Sequence, residues 1–347
     1  MLSTKAYAAQ TSESQLAQFQ INRRDVRPDD VQITIDYCGV CHTDIHLARN
    51  DWGTSVYPVV PGHEIIGHVT QVGDNVDNIK VGDAVAVGCM VDACRTCSAC
   101  TQHLEQYCER GFIATYNGED AILGGKTFGG YSKDIIVDKH FVLHLPESLV
   151  NASAAPLLCA GITTYSPLKK WQIKPGDKVG VIGLGGLGHM GVKLAAAMGA
   201  EVIMITRSAN KQQDAKRLGA HDVIVSTDEA QMNKHANSFD FLLNTIPRAH
   251  DVNPYLSLMK RDTTMVLVGA FDPLPPVMGG NLIRNRKRVA GSLIGGIAET
   301  QEMLNFCATH NITSDIEQIA MADINVAYER MLKSDVKYRF VIDMSTL

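Results

Sequence analysis

The most constraining stretch of the sequence is a glycine-rich run that directly follows an apolar segment. Residues 178–182 have the pattern of a buried strand, and residues 190–198 have a helical pattern. The turn between them contains Gly183, Leu184, Gly185, Gly186, Leu187 and Gly188. In this context Gly183 permits the turn, Gly185 admits a pyrophosphate and Gly188 packs the helix on the strand. The pattern therefore predicts a dinucleotide site at a helix N-terminus.

The sequence around this run alternates strand and helix patterns, which predicts a doubly wound parallel sheet. Further strands are expected at residues 201–205, 239–243, 264–268 and 288–294. An NAD site usually carries an acid about twenty residues after the glycines. No acid is present there, and the residues at that strand end are Thr206, Arg207, Ser208 and Lys211. These donors and charges favour a 2′-phosphate and hence NADP, whereas an exposed polar strand end is the competing interpretation.

Residues 1 to about 155 have a different sequence pattern. Short segments of alternating apolar and polar residues, typical of strands, are separated by turns. Strands are expected at residues 31–38, 65–72, 83–87 and 131–137, which suggests a small β-barrel or sandwich-like domain. The tail has a helical pattern at residues 301–308 and a final strand, 339–343, that could return to this first domain. A length of 347 residues with 45% hydrophobic content suits about two domains.

Potential metal ligands are concentrated in this first part of the chain. Cys38 ends an alternating strand and is expected to be buried, whereas Cys41 follows Gly39 and is free to bind a metal. Pro61 and Gly62 predict a tight turn that presents His63 at the start of a strand. A lone histidine there would more often be structural, but the neighbouring thiol favours a metal site.

A second group of cysteines has spacing typical of a closed site. Cys94, Cys97 and Cys100 are followed by Cys108 after seven residues, which predicts a structural zinc site. An iron–sulfur cluster is the alternative, although its bacterial pattern places the fourth cysteine three residues later and before proline. Cys89 and Cys307 fit no spacing and are expected to be small buried hydrophobic residues.

Charge and composition disfavour several classes of function. The net charge of −5 and the lack of a basic run disfavour a nucleic-acid partner, including a zinc-ribbon binder, and favour a small molecule. The start of the chain lacks the apolar region of a signal peptide. The most apolar stretch, residues 179–205, is interrupted by glycines, His189, Lys193 and Glu201, which disfavours a membrane span. We therefore expect a cytoplasmic protein, in which nine cysteines indicate metal binding or catalysis before disulfides.

In this order, these features resemble the zinc-dependent medium-chain alcohol dehydrogenases over nearly the whole chain. Residues 62–76 agree with the zinc signature of that family at every fixed position, which are Gly62, His63, Glu64, Gly67, Gly73 and Val76. Residues 38–44, 156–165 and 291–296 are similar to the cinnamyl-alcohol-dehydrogenase type. The bacterial branch of broad-range NADP-dependent aldehyde reductases is the nearest likeness.

The resemblance implies a two-domain α/β enzyme with its active site in the cleft between the domains. A GroES-like β-barrel catalytic domain would comprise residues 1–155 and 296–347 and carry both zinc sites, one catalytic and one structural. A Rossmann-type NADP-binding domain would comprise residues 156–295. The implied ligands of the catalytic zinc are Cys41, His63 and Cys159. Glu64 would be an alternate ligand or a residue that supports the ligands from beside the metal. Spacing alone does not identify Cys159.

The resemblance also implies roles for residues around the zinc. Asp44 would orient His63, and Thr43 with His46 would relay a proton to water. Residues implied to lie near the cofactor are His42, Thr43, Thr163, Thr245, Gly269, Ser292, Leu293, Ile294 and Arg339. Trp52 would line the substrate pocket, with Met90 and Tyr116 as looser candidates.

The implied activity is hydride transfer between NADPH and aldehydes or primary alcohols, in a homodimer joined through the edge strand of the nucleotide-binding sheet. An NAD-dependent zinc polyol or alcohol dehydrogenase is the nearest alternative. The non-enzyme alternative is a structural protein of the same family without catalytic activity. The presence of all the implied zinc ligands counts against it.

Overall fold

The computed structural model describes residues 1–270 and 272–347. In the described chain the strands are β1 (Leu2–Ala8), β2 (Ala17–Arg23), β3 (Asp30–Gly39), β4 (Ile65–Val72), β5 (Ala84–Val87), β6 (Met90–Asp92), β7 (Ile113–Ala114), β8 (Asp134–Asp138), β9 (Leu143–His144), β10 (Lys178–Ile182), β11 (Glu201–Thr206), β12 (Asp222–Val225), β13 (Phe239–Asn244), β14 (Met259–Leu267), β15 (Arg288–Gly291), β16 (Ile316–Ala320) and β17 (Arg339–Asp343). The helices are α1 (His42–Ala48), α2 (Ser98–Thr101), α3 (Ala160–Lys170), α4 (Gly188–Ala197), α5 (Gln212–Arg217), α6 (Glu229–Lys234), α7 (Asn253–Leu256), α8 (Gly279–Ile283), α9 (Ile297–Thr309) and α10 (Ile324–Leu332).

The chain divides into two compact units. The first contains residues 1–159 and 295–347, and the second contains residues 160–294. The first boundary thus falls four residues after the one expected from the sequence, and the second falls one residue earlier. Cys159 consequently belongs to the first unit together with Cys41 and His63.

The first unit is organised around β3, which pairs antiparallel with β4, β8 and β17. Its alternating sequence buries Val31, Ile33 and Ile35 completely. The tail returns to this sheet as predicted, because β17 places Ile342 opposite Cys38. The full sheet has the order β16-β17-β3-β4-β5-β9, with β8 beside β3.

The second unit contains a parallel sheet with the order β12-β11-β10-β13-β14-β15. Since β10 is the first strand of the unit, this is the 3-2-1-4-5-6 order of a doubly wound nucleotide-binding fold. The order reverses between β10 and β13, and such sheets bind ligands at this point, beyond the carboxyl ends of the strands. The predicted doubly wound α/β fold is confirmed. No helix in the described ranges is long and apolar enough to cross a membrane.

Candidate functional site

Cys41 lies where β3 has ended and α1 begins. It has an extended backbone, with φ −119° and ψ 157°, as the N-cap of α1. Its backbone N–H donates to the Asp44 carboxylate at 2.8 Å, which satisfies a donor that the helix cannot. The start of the helix therefore fixes the position of Cys41, whose sulfur is 3.9 Å from that of Cys159.

The same carboxylate positions His63. Asp44 Oδ1 lies 3.3 Å from His63 Nδ1 and accepts the Gly62 N–H at 3.1 Å. Because Nδ1 faces a carboxylate, Nε2 is the nitrogen available to a metal. Gly62 has φ +102°, and a Cβ there would lie only 2.8 Å from Cys38 Sγ, so the turn before His63 requires glycine.

Glu64 is completely buried beside these residues and pairs with the Arg339 guanidinium at the start of β17. Burial raises the pKa of Glu64 to about 7, although the charge of Arg339 opposes this. Among the described residues, Glu64 Oε2 and Arg339 Nε have no hydrogen-bond partner. A buried carboxylate oxygen without a partner is an atom that a cation would satisfy. The other oxygen of this carboxylate, Oε1, lies 3.9 Å from His63 Nε2.

These side chains converge on one point. The ligand atoms of Cys41, His63, Glu64 and Cys159 all lie within 4.8 Å of one another. Two thiolates bound about 2.3 Å from a tetrahedral zinc would lie about 3.8 Å apart, and the observed separation is 3.9 Å. Interaction with Cys159 lowers the pKa of Cys41 well below its ordinary value. The donor set therefore fits one zinc ion, and Cys41 is the thiol that most readily becomes a thiolate.

The four cysteines of residues 94–108 form a second cluster, whose ligand atoms also lie within 4.8 Å of one another. The sulfurs of Cys94 and Cys100 are 3.9 Å apart, as are those of Cys97 and Cys108. This spacing fits a single tetrahedral ion with four protein ligands and no open position. An iron–sulfur cluster would distribute the four thiolates over several irons. The geometry favours structural zinc.

Backbone N–H groups of this lobe lower the pKa of Cys94 and of Cys97, whereas burial raises the pKa of Cys100 to about 12. Hydrogen bonds from the Thr96 and Cys97 N–H groups lower the pKa of Cys94 to about 6. The Glu109 N–H similarly lies 3.4 Å from Cys97 Sγ. Arg95 ties the lobe to the end of β8 through an ion pair of 2.7 Å with Asp138.

The glycine run forms the turn between β10 and α4. Gly183 has φ +94°, and a Cβ on Gly188 would overlap the Gly183 carbonyl. A Cβ on Gly185 would meet nothing within 4 Å, so this position faces open space. The Thr245 hydroxyl donates to the Ile182 and Gly183 carbonyls at 2.8 and 3.0 Å, which ties the turn to β13. The N-terminus of α4 is thereby available to an anion.

Other residues predicted to contact the cofactor follow neighbouring strands of the same sheet. Beyond the carboxyl ends of β13, β14 and β15 lie Thr245, Gly269, Ser292, Leu293 and Ile294. Carboxyl ends of parallel strands lie at one edge of a sheet, so the fold brings these positions to the edge that holds the glycine turn. Thr163 is buried in α3 of the same unit. His42, Thr43 and Arg339 belong to the first unit, and their cofactor contacts stay predictions.

The end of β11 presents the residues predicted to select NADP. Thr206 is buried there, whereas Arg207 and Ser208 are exposed. Lys211 Nζ donates to the Leu184 carbonyl at 2.9 Å, so this ammonium group lies against the glycine turn. Positive charge and hydroxyl donors are therefore present where an adenosine 2′-phosphate would lie.

The relay residues both lie on α1. Thr43 Oγ1 is 3.7 Å from Cys41 Sγ, and the half-exposed His46 places Nδ1 2.7 Å from Asp51 Oδ2. The sequence pattern did not identify Asp51, because it lies beyond the end of the helix, where helical spacing carries no information. Thr43 thus lies beside a candidate zinc ligand, and His46 is oriented by a carboxylate near solvent.

The three substrate candidates differ in exposure. Trp52 is 41% exposed and its ring lies 5.0 Å from that of His46, whereas Met90 and Tyr116 are each 3% exposed. Tyr116 stacks on His63 with ring centroids 5.7 Å apart. The structure thus places Tyr116 against His63, and the substrate contacts of all three residues stay predictions.

Cys89 is half-buried, contrary to the prediction that it is a small buried residue. Its thiol lies 3.6 Å from the carbonyl of Leu158, the residue that precedes Cys159. Cys307 is fully buried, as predicted, and burial raises its pKa to about 12. The prediction is wrong for Cys89 because its neighbours come from distant segments, which no spacing reveals.

Comparisons with known proteins agree with this geometry. Residues 27–147 match the alcohol dehydrogenase GroES-like domain, and residues 186–309 match the zinc-binding dehydrogenase family. The chain is 53% identical to aldehyde reductase YahK of Escherichia coli, over 99% of each chain. It is 51% identical to NADP-dependent alcohol dehydrogenase C 1 of Mycolicibacterium smegmatis, over 100% of this chain and 99% of that protein.

Among solved structures, a cinnamyl alcohol dehydrogenase of Sorghum bicolor, SbCAD4, matches with a TM-score of 0.95 and 44% identity. The match covers 99% of this chain and 98% of that chain. Sequence identity of 44% over nearly the full length of both chains shows a common family as well as a common fold. This chain therefore belongs to the zinc-dependent medium-chain alcohol dehydrogenases, and within them to the cinnamyl-alcohol-dehydrogenase type.

Proposed function

We propose that this chain transfers hydride reversibly between NADPH and aldehydes or primary alcohols at a zinc site. The observation that carries the proposal is the convergence of Cys41, His63, Glu64 and Cys159 within 4.8 Å, in a family of zinc dehydrogenases. Bound zinc would act as a Lewis acid on the substrate oxygen. The similarity to an aldehyde reductase and an NADP-dependent alcohol dehydrogenase supports the substrate class and the cofactor.

The residues of the chain would prepare this site before substrate binds. Cys41, His63 and Cys159 would hold the metal, and Asp44 would keep the His63 ring in its ligating orientation. Asp44 can do so because it is fully buried and also fixed by the Cys41 and Gly62 N–H groups. Positioning of this kind strengthens a metal site without a further ligand.

A proton must travel between the buried site and water in each turnover. We propose that the Thr43 hydroxyl passes it to the His46 imidazole, three residues later on α1. Asp51 would orient His46 through the 2.7 Å contact with Nδ1. Trp52, beside the His46 ring, would then form part of an apolar substrate pocket.

Cofactor choice would rest on the end of β11. Arg207 and Lys211 carry charge, and Ser208 carries a donor, with no carboxylate in that turn to accept the ribose hydroxyls. One charge-assisted contact to phosphate contributes about 1.5 to 3 kcal/mol. Two such contacts would favour NADPH over NADH by roughly two to four orders of magnitude in kcat/KM.

We further propose that the enzyme is a cytoplasmic homodimer joined through β15. This strand lies at one edge of its sheet, with β14 as its single neighbour within the described ranges. An edge strand of this kind offers unpaired backbone groups to a second copy.

The proposal is tested by initial rates on aliphatic, benzylic and cinnamyl aldehydes with NADPH and with NADH, on protein of known zinc content. We expect reduction with NADPH and a strong preference over NADH. Ser208→Asp should reverse much of that preference, because a carboxylate repels the phosphate yet accepts ribose hydroxyls. Ser257→Asp, an exposed position of the second unit that precedes the amino end of β14, is the matched control. Equal or higher kcat/KM with NADH in the wild type would instead favour an NAD-dependent alcohol or polyol dehydrogenase.

A further inference from the structure

A buried phenol of the first unit reaches the carboxylate that positions His63. Asp44 is completely buried, and each of its two oxygens contacts two polar atoms. Oδ1 accepts from the Gly62 N–H at 3.1 Å and lies 3.3 Å from His63 Nδ1. Oδ2 accepts from the Cys41 N–H at 2.8 Å and from the Tyr131 hydroxyl at 3.4 Å. Tyr131 alone among these partners comes from a distant segment of the chain.

Asp44 depends on these contacts because no arginine or lysine pairs with it. Within the described ranges, its single ion-pair contact is with His63. A buried carboxylate without a cationic partner requires hydrogen bonds to compensate for lost water. The Tyr131 hydroxyl is one of two donors to Oδ2, and the other is the N–H of Cys41. Loss of the hydroxyl would leave Oδ2 with one donor and weaken the hold on the carboxylate.

The chain around Tyr131 also holds the turn that presents His63. The Tyr131 N–H donates to the Pro61 carbonyl at 2.9 Å, and the Gly130 N–H donates to the Gly62 carbonyl at 2.8 Å. A Cβ on Gly62 would lie 2.8 Å from Tyr131 Cδ1, so the ring packs directly against this turn. Both the backbone and the ring of Tyr131 are therefore fixed apart from its hydroxyl.

A buried arginine holds the same segment. Arg23 is 8% exposed and donates to the Phe128 and Gly129 carbonyls at 2.7 and 2.9 Å. It also donates to the Ser132 hydroxyl at 2.7 Å. Because these bonds do not involve Asp44, Tyr131→Phe removes one hydrogen bond without releasing the segment.

We propose that Tyr131 is a positioning residue for the catalytic metal, which acts through Asp44 on His63 and Cys41. The inference rests on the proposed function, since it requires zinc on these ligands. The Tyr131 hydroxyl holds the carboxylate, and the carboxylate holds the His63 ring and the N–H of Cys41. Groups that orient metal ligands in this way raise the affinity of a site for its metal.

The test follows zinc release from zinc-loaded protein to a chromogenic chelator, with aldehyde reduction measured as release proceeds. The zinc whose loss parallels the loss of activity is the catalytic one. We expect Tyr131→Phe to release this zinc about twofold to tenfold faster than the wild type, as fits one long hydrogen bond. Asp44→Asn, which alters the direct partner of His63, should release it about tenfold to a hundredfold faster.

Tyr57→Phe is the matched control. The Tyr57 hydroxyl donates to the Ala48 carbonyl at 3.0 Å, so this substitution also removes one phenol hydrogen bond from the first unit. It should release zinc at the wild-type rate. Thermal unfolding of both variants separates a general loss of stability from an effect on the metal, and we expect similar melting temperatures.

Zinc release from Tyr131→Phe at the wild-type rate, or equally fast release from Tyr57→Phe, would overturn the inference. A melting temperature far lower for Tyr131→Phe than for Tyr57→Phe would also overturn it, because the role would then be structural. Zinc content and aldehyde reduction of the wild type test the proposed function separately. An active wild type with an unaffected Tyr131→Phe variant would reject this inference alone, whereas absence of zinc or of activity in the wild type would reject both.

Discussion

In the proposed proton relay, His46 on α1 would link the metal cluster to solvent. His46 lies three residues after Thr43 on α1. Its imidazole is half-exposed, and Nδ1 contacts the Asp51 carboxylate. Replacement by glutamine keeps a polar side chain but removes the group that can accept and release a proton. We expect His46→Gln to lower kcat by about tenfold to a hundredfold and to leave KM nearly unchanged.

The measurement is the pH dependence of kcat with saturating aldehyde and NADPH. Asp51→Asn should give a smaller decrease, because the imidazole remains and loses its orienting carboxylate alone. A pH–rate profile in His46→Gln that matches the wild type would exclude the imidazole from proton transfer.

Asp30 is a buried carboxylate held by two arginines at the start of β3. Arg24 Nε and Arg27 Nε lie 2.8 and 2.9 Å from Asp30 Oδ2. Burial raises the pKa of Asp30, but hydrogen bonds from the two arginines outweigh it and hold the pKa well below its ordinary value. The stabilisation is therefore present above the unfolded pKa of about 4 and is lost as the pH falls toward the folded pKa.

Asp30→Asn should lower the free energy of unfolding at pH 7 by about 3 kcal/mol, the cost of breaking a buried pair. The difference from the wild type should shrink as the pH falls below about 4. Urea unfolding across this pH range measures both effects. Asp36→Asn, at an exposed position of the same strand, should change stability by less than about 0.5 kcal/mol. A difference for Asp30→Asn that stays constant with pH would contradict the argument.

At the scale of elements, the turn between β10 and α4 contains one glycine that packing requires and one that cofactor binding would require. Gly188 has no room for a Cβ against the Gly183 carbonyl, whereas a Cβ on Gly185 would meet nothing within 4 Å. Gly188→Ala should therefore lower the thermal stability of the second unit. Gly185→Ala should preserve stability but weaken NADPH binding, since its Cβ would occupy the space of the pyrophosphate.

Calorimetry and fluorescence titration with NADPH distinguish these outcomes. Each alanine variant is the control for the other, because both make the same chemical change in the same turn. If Gly185→Ala also destabilises the unit, Gly185 is required for folding, and the prediction that it serves only NADPH binding is wrong.

The metal of one cysteine cluster should support folding, and the metal of the other should support turnover. The lobe of residues 94–108 has little regular structure beyond α2, so a closed zinc site would contribute directly to its folding. Cys97→Ser should lower the melting temperature and zinc content together. Cys41→Ser should abolish turnover and remove one zinc while leaving the melting temperature closer to that of the wild type.

Zinc analysis and thermal unfolding of both variants check this prediction. Wild-type protein should contain two zinc ions per chain. One zinc or none in the native protein, or equal destabilisation by both substitutions, would contradict two separable sites.

At the scale of the whole molecule, the edge strand β15 and the helix before it suggest self-association. Ile283 at the end of α8 is 79% exposed and Met278 just before the helix is 64% exposed. Exposed apolar side chains in the segment that precedes an edge strand are suited to contact a second copy of the same surface. We therefore expect a particle of twice the chain mass of 37.7 kDa in solution.

Light scattering after size-exclusion chromatography measures that mass. Ile283→Glu should shift the protein toward the monomer. Val326→Glu, at a 61% exposed position on α10, should leave the mass unchanged. A monomeric wild type, or an Ile283→Glu variant that remains dimeric, would exclude this surface as the interface.

Much of the fold follows from local sequence. The strands of residues 178–182 and 339–343 have the predicted bounds, because apolar runs between turn residues are local signals. The pattern for 288–294 predicted a strand that instead ends at Gly291. The hairpin of β1 and β2 was not predicted, since its pairing depends on contacts between separate segments.

For the site, the sequence by itself determined the glycine turn, the four-cysteine lobe and the lack of an acid after β11, since each depends on residues close together in the chain. Cys159 was reached through family resemblance alone. Its place beside Cys41, the position of Cys89 and the orientation of His46 by Asp51 were decided by tertiary structure. The physical reason is that these contacts join distant segments or cross the end of a helix, where sequence separation no longer sets the distance between side chains.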